Sequence, residues 1–248
     1  MKGRLEVCVD SVESAVIAQR GGADRLEVCS NLVIGGTTPD VGLFKQIRKA
    51  CSIALNVLIR PRFGDFLYTE PEFLAILDDI SLFQELEADG VVVGCLKADG
   101  NLDLERMRLL RERAGKLTMT LHRAFDVCKD PYRALEEAVD LKIDTILTSG
   151  QAEDCVKGME LLKKLIVQAD GRIEILAGGG VNAEVIARLI PEIHAESFHM
   201  SGKQKLDSGM AYRNEKVSMG LPGMDEFSVF RTEEEQIKRA RNAIDAKI

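Results

Sequence analysis

Short β-rich runs alternate with helical patterns eight times along a chain of 248 residues, and that count predicts an α/β fold of the (β/α)8 TIM-barrel type. Strand starts fall near Arg4, Asp24, Ile53, Asp89, Lys116, Ile143, Arg172 and Ala195, on average about 27 residues apart. Each interval holds a strand, a loop and a helix of roughly three to four turns. The pentapeptide Arg-Leu-Glu-Val-Cys occurs at residues 4–8 and again at 25–29, so the first two strands read as copies in equivalent environments, as a closed barrel offers. A doubly wound sheet is the alternative.

The helices are marked where this scheme needs them. Asp10 and Ser11 precede the first, Pro71 and Pro131 fall in the first turns of later ones, and Asn182 stands before the seventh. Residues 202–230, rich in Gly, Ser, Met and charge, read as a long loop rising from the top face after the eighth strand. A last amphipathic helix covers 232–248. With no linker or break in composition, residues 1–248 are expected to form a single domain.

Hydrophobic residues make up 46% of the chain, enough for a sizeable core. Thirty-three Lys and Arg against forty Asp and Glu leave a net charge of −7, which argues against nucleic acid as a partner. No apolar run approaches the roughly 20 residues of a membrane span, and a strand-like segment begins at Arg4 with no leader before it; a cytoplasmic protein with no membrane partner is expected. The six cysteines include no Cys-x-x-Cys pair, so zinc knuckles and thioredoxin motifs are excluded and free thiols are expected.

Side chains alternate across a strand. If Leu5, Val7 and Val9 meet the helices, Glu6 and Cys8 point into the barrel; the repeat places Glu27 and Cys29 likewise. The same parity sends Asn56, Leu58, Arg60 and Arg62, then Thr118, Thr120 and His122, then Ser197, His199 and Ser201 inward. Such a lumen is more polar than the Val, Ile and Leu layers usual in barrels, and buried charges need partners. Glu6 and Glu27 are expected to pair with Arg60, Arg62 and the histidines. One reading is a purely structural ion network; the other is catalytic, with Glu6, Glu27, Arg60, His122 and Asp126 at strand ends where barrel enzymes keep their chemistry.

Residues 60–66 carry two guanidiniums and a carboxylate on a turn, a fork suited to an anion. Residues 122–126 gather His122, Arg123 and Asp126. After the seventh strand, Gly178, Gly179 and Gly180 precede a helix; with Arg62, Ser149 and Ser201 they form a candidate anion site, although glycines there also suit a tight turn of positive φ.

Taken together, these stretches resemble the CutC copper-homeostasis family. Residues 6–11, 21–25, 35–39, 59–62, 64–66, 122–126, 147–150, 178–180, 198–199 and 207–210 carry the resemblance, in order and over almost the whole chain. It implies a cytoplasmic, homodimeric TIM barrel that binds Cu(I), with Cys8 and Cys29 as ligands. Soft Cu(I) prefers thiolates, and two cysteines on neighbouring strands suit it; buried cysteines are also common core filler. A carrier of one copper ion has no need of paired arginines, a His-Arg-Asp loop and a triple glycine. The sequence therefore also supports a barrel enzyme acting on a small anionic ligand, phosphorylated or not.

Overall fold

A computed structural model of the chain describes residues 3–246 except 215, 218 and 221–224. Strands β1 (Arg4–Val9), β2 (Arg25–Val28), β3 (Ala54–Leu58), β4 (Gly90–Val93), β5 (Thr118–Leu121), β6 (Thr145–Thr148), β7 (Glu174–Ala177) and β8 (Ser197–Met200) pair in parallel in that order, and β8 closes on β1. Each starts within two residues of its expected place. Between and after them run α1 (Val12–Arg20), α2 (Val41–Ala50), α3 (Glu70–Glu85), α4 (Leu104–Ala114), α5 (Pro131–Asp140), α6 (Met159–Ala169), α7 (Ala183–Ile193) and α8 (Glu234–Asp245). Short 3-10 turns follow β2 (Leu32–Ile34) and β5 (Arg123–Val127).

The expected start signals act as caps. Ser11 accepts the Ser14 N–H, Asn182 accepts the Val185 N–H, and Thr69 with Glu72 forms a reciprocal capping box ahead of Pro71. The long loop differs from expectation at its ends: Lys203–Asp207 (β9) and Ser228–Thr232 (β10) pair antiparallel, so the segment stands as a hairpin. Residues 215, 218 and 221–224 of the expected loop and 247–248 of the expected terminal helix lie outside the described residues.

Leu5, Val7, Val9, Leu26, Val28, Leu55, Val57, Val91 and Val93 are fully buried, and the core is the layer between these outward faces and the helices. Burying each such side chain is worth about 1.5–3 kcal/mol. Phe44 of α2 meets Phe83 of α3 edge to face at 5.2 Å. Inside the barrel, Gly90 is required for room: a Cβ there would lie 2.2 Å from the Thr118 hydroxyl and 2.4 Å from the Asn56 amide oxygen.

At the amino-terminal face the chain repeats itself every second strand. Gly22, Glu87, Lys142 and His194 all adopt positive φ two residues before Asp24, Asp89, Asp144 and Glu196, which lead into β2, β4, β6 and β8. The three aspartates accept the N–H of Leu5, Leu55 and Met119 on the preceding strand, each at 2.8 Å. They also pair with Arg241 of α8, Arg48 of α2 and Arg111 of α4. Glu196 makes no such side-chain bond among the described residues. The structural repeat is therefore a pair of βα units. The pentapeptide suggested strand-by-strand equivalence, but the β1–β2 register sets Cys8 opposite Glu27 and Glu6 opposite Arg25.

Candidate functional site

At the carboxyl ends of the strands lies a cavity of about 350 Å³, at the small end of the range for ligand sites. On one wall, Cys8 of β1, Glu27 of β2 and His199 of β8 bring one ligand atom each within 4.8 Å of one another. Behind them Glu6, fully buried, bonds the Arg25 guanidinium and takes His199 Nδ1 at 2.7 Å. The His199 Nε2 faces Glu27 at 3.8 Å. These four charges line up because β1, β2 and β8 are neighbours and every second residue points inward.

Their environments push the protons apart. Burial works to raise the pKa of Glu6, but Arg25 and His199 outweigh it and hold the carboxyl down at about 2. Burial, reinforced by the Glu6 charge, pushes Glu27 up to about 7 against the pull of His199 and Arg25. His199 is raised well above the usual imidazole range: burial opposes this, and Cys8, Glu27 and Glu6 overcome it. The wall thus holds a proton on His199 at neutral pH and takes one on Glu27 far more readily than on Glu6, the kind of separation that acid–base chemistry uses.

Cys29 stands apart from this cluster. The register that puts Cys8 beside Glu27 lifts Cys29 beyond them, into an apolar cluster with Leu58 and Val92. Its thiol donates to the Val9 carbonyl at 3.5 Å, and burial, then the Cys8 and Glu27 charges, push its pKa well above the usual thiol range. All six cysteines are free and buried.

On another wall sits Arg60, whose guanidinium donates to the carbonyls of Gly36 (3.0 Å), Gly35 (3.3 Å) and Gly64 (2.9 Å) and lies over the Phe66 ring. Beside it, His122 Nδ1 accepts the Ala124 N–H at 3.2 Å, so the ring proton belongs on Nε2. Burial, then Arg60, drive the His122 pKa down to about 3, and the ring is neutral at physiological pH. A Cβ on Gly94 would stand 2.7 Å from the imidazole; glycine makes the space it occupies.

Of the partners expected for Glu6 and Glu27, a histidine serves, His199 facing both, whereas Arg60 and Arg62 do not. Arg25 is the second partner of Glu6, a residue with the same inward parity as Glu27 that strand alternation alone could have flagged. Arg62 lies outside the cavity, bonded to Glu72 at 2.6 Å and Asp65 at 3.1 Å, where it braces its own loop. Asp126 is consumed by Arg123, Thr148, and the backbone of Ser149 and Gln151, tying the loop after β5 to the loop after β6. Ser149 donates to the Ala152 carbonyl and accepts from Arg123. The Gly178 N–H is bonded to Thr148, whereas Gly179, Gly180 and Ser201 do line the cavity. Arg123, noted in the sequence as a neighbour of His122 and Asp126, joins that lining together with Lys203, which the sequence reading did not single out.

The chain is a closed (β/α)8 barrel with a charge-lined cavity at the carboxyl ends of its strands, the face where barrel enzymes keep their sites. The comparison with known proteins narrows the class. The CutC family profile matches residues 3–204, and the chain belongs to the CutC family of copper homeostasis proteins. A CutC family protein of Parabacteroides distasonis is 48% identical over 240 residues, covering 96% of this chain and 99% of its own. The human copper homeostasis protein cutC homolog is 44% identical over 241 residues, 97% of this chain and 88% of its own. A solved CutC structure from Streptococcus agalactiae superposes with a TM-score of 0.76 at 31% identity, over 80% of this chain and 98% of that one. Among the described residues no helix is long and apolar enough to cross a membrane.

Proposed function

We propose that this protein serves copper homeostasis by holding one Cu(I) ion as cargo at the mouth of the barrel, with Cys8 Sγ and His199 Nε2 as ligands and Glu27 beside them. The observation that carries this reading is the convergence of those three side chains within 4.8 Å. A thiolate and an imidazole suit a soft ion, while a carboxylate is a poorer donor to it. Glu6 on His199 Nδ1 is the outer carboxylate that commonly fixes the ring of a metal-bound histidine and leaves its other nitrogen free. Cys29, with its thiol proton held by apolar surroundings, is a reserve rather than a ligand in this arrangement. The reading places the protein in the cytoplasm, where all six cysteines stay reduced, as a single-domain subunit of a homodimer.

The test is an anaerobic Cu(I) titration against a competing chelator. One equivalent should bind tightly, Cys8→Ser and His199→Gln should each abolish it, and Cys29→Ser should weaken it far less. Because His199 must give up its proton to bind the ion, affinity should rise with pH through neutrality. Binding that survives Cys8→Ser, or that is independent of pH, overturns the assignment.

A further inference from the structure

The chain carries a net charge of −7, yet the cavity is lined by cations. Arg60, Arg123, Lys203 and His199 face it, with Glu27 as the carboxylate among its lining residues. Arg123 is answered by Asp126 and His199 by Glu6; Arg60 and Lys203 have no carboxylate within ion-pair reach among the described residues.

Arg60 is the informative residue. Three arginines are more than nine-tenths buried: Arg25, Arg60 and Arg241. Arg25 has Glu6, and Arg241 has Asp24 and Asp245. Arg60, 8% exposed, has as hydrogen-bond partners only the carbonyl oxygens of Gly35, Gly36 and Gly64, which take three of its four Nη hydrogens and leave its charge uncancelled, and its Nε–H has no partner. A guanidinium is always charged, and a buried charge without a counter-ion is costly. A fold keeps such a group where an anion visits it.

Two further features point the same way. His122, also buried beside Arg60 and among the residues lining the cavity, has an Nε2–H with no partner among the described residues. Elsewhere on the lining, the N–H groups of Gly179 and Gly180, just ahead of α7, have no partner among the described residues, and Lys203 stands over the Phe230 ring at 5.5 Å. Backbone amides before a helix and a lysine form a second anion-compatible locus.

We propose that the upper cavity is a binding site for a small organic oxyanion, a phosphate monoester or a carboxylate, recognised by Arg60 and His122 on one wall and by Lys203 with the Gly179 and Gly180 amides on another. This goes beyond the copper reading and does not depend on it. The cavity volume of about 350 Å³ is far more than a single ion occupies and fits a compact metabolite.

The test uses the full chain, stripped of metal and kept with a chelator so that copper plays no part. Inorganic phosphate, glycerol 3-phosphate and malonate are each titrated by calorimetry and by thermal shift. Saturable binding of the phosphates assigns a phosphate ester; saturable binding of malonate alone assigns a carboxylate. In either case Arg60→Met and Lys203→Ala should each weaken binding about tenfold or more. Lys203 is exposed, so Lys203→Ala carries the test alone should Arg60→Met fail to fold. The inference is overturned if none of the three binds saturably, or if binding is unchanged in Lys203→Ala and in folded Arg60→Met.

Discussion

His122 should stay unprotonated far below the pH at which a free imidazole takes up a proton, and the fold should lose stability on acidification because of it. Burial and the Arg60 charge move its pKa from 6.5 to about 3. From pH 6.5 downward the unfolded chain binds a proton that the folded chain refuses. The contribution is therefore intact above 6.5 and is lost progressively as pH falls toward 3. Each pH unit in that window is worth about 1.4 kcal/mol, so about 2 kcal/mol is gone by pH 5 and nearly 5 kcal/mol by pH 3. Other groups titrate in the same range: Glu27, raised to about 7, acts in the opposite sense between 4.5 and 7, and Glu6, lowered to about 2, acts in the same sense below 4.5. The comparison that isolates His122 is urea denaturation of wild type beside His122→Gln, which keeps an acceptor for the Ala124 N–H but cannot titrate. Relative to wild type, the variant should gain about 2 kcal/mol between pH 7 and pH 5. A flat difference over that interval, or a His122 proton resonance that titrates near 6.5, would refute the reasoning that burial beside an unpaired arginine keeps this ring neutral.

Two other substitutions probe the framework around the site. Gly94→Ala places a methyl group 2.7 Å from the His122 ring, which is backed by Phe66; a loss of about 1–3 kcal/mol is expected in denaturant, with the His122 resonance moving toward ordinary titration. Asp89→Ala removes the acceptor of the Leu55 N–H and the partner of Arg48 and should cost about 1–3 kcal/mol, whereas Glu196→Ala, at the equivalent position without those bonds, should cost less than about 0.5 kcal/mol. Equal losses at the two positions would show that the aspartate clamp contributes nothing of its own.

The barrel was legible because its signals are local. Alternation with period two placed Glu6, Glu27, Asn56, Thr120 and His122 on the buried inner face, and cap residues such as Ser11 and Asn182 marked helix starts. Lateral register was not legible, because it is fixed by the stagger of parallel strands around a closed barrel. The repeated pentapeptide invited the view that Cys8 and Cys29 stand side by side; a stagger of two residues replaces Cys29 by Glu27 as the neighbour of Cys8. The same stagger delivers Arg25 to Glu6. Loop residues fail for another reason. Arg62, Asp126 and Ser149 have the right chemistry in the right loops, but each is spent on bonds within and between those loops, a matter of backbone path that a motif does not record.

The two ends of the barrel differ in how well their polar residues are satisfied. A lumen that holds Glu6, Arg25, Glu27 and His199 forgoes the apolar layers that fill most barrels, and Arg25, Asn56, Thr120 and His122 each keep a buried polar atom without a partner among the described residues. Compensation comes from the amino-terminal face, where Asp24, Asp89 and Asp144 each tie two strands and a helix together through charged hydrogen bonds worth about 1.5–3 kcal/mol apiece. Within the barrel the even-numbered strand without that clamp is β8, entered through Glu196. It is also the strand that carries His199 and leads through Ser201 into the β9–β10 hairpin and Lys203. The repeat is thus lost at its fourth copy, on the strand whose residues face the upper cavity, which is where a barrel assembled from paired units has most to gain from departing from its own symmetry.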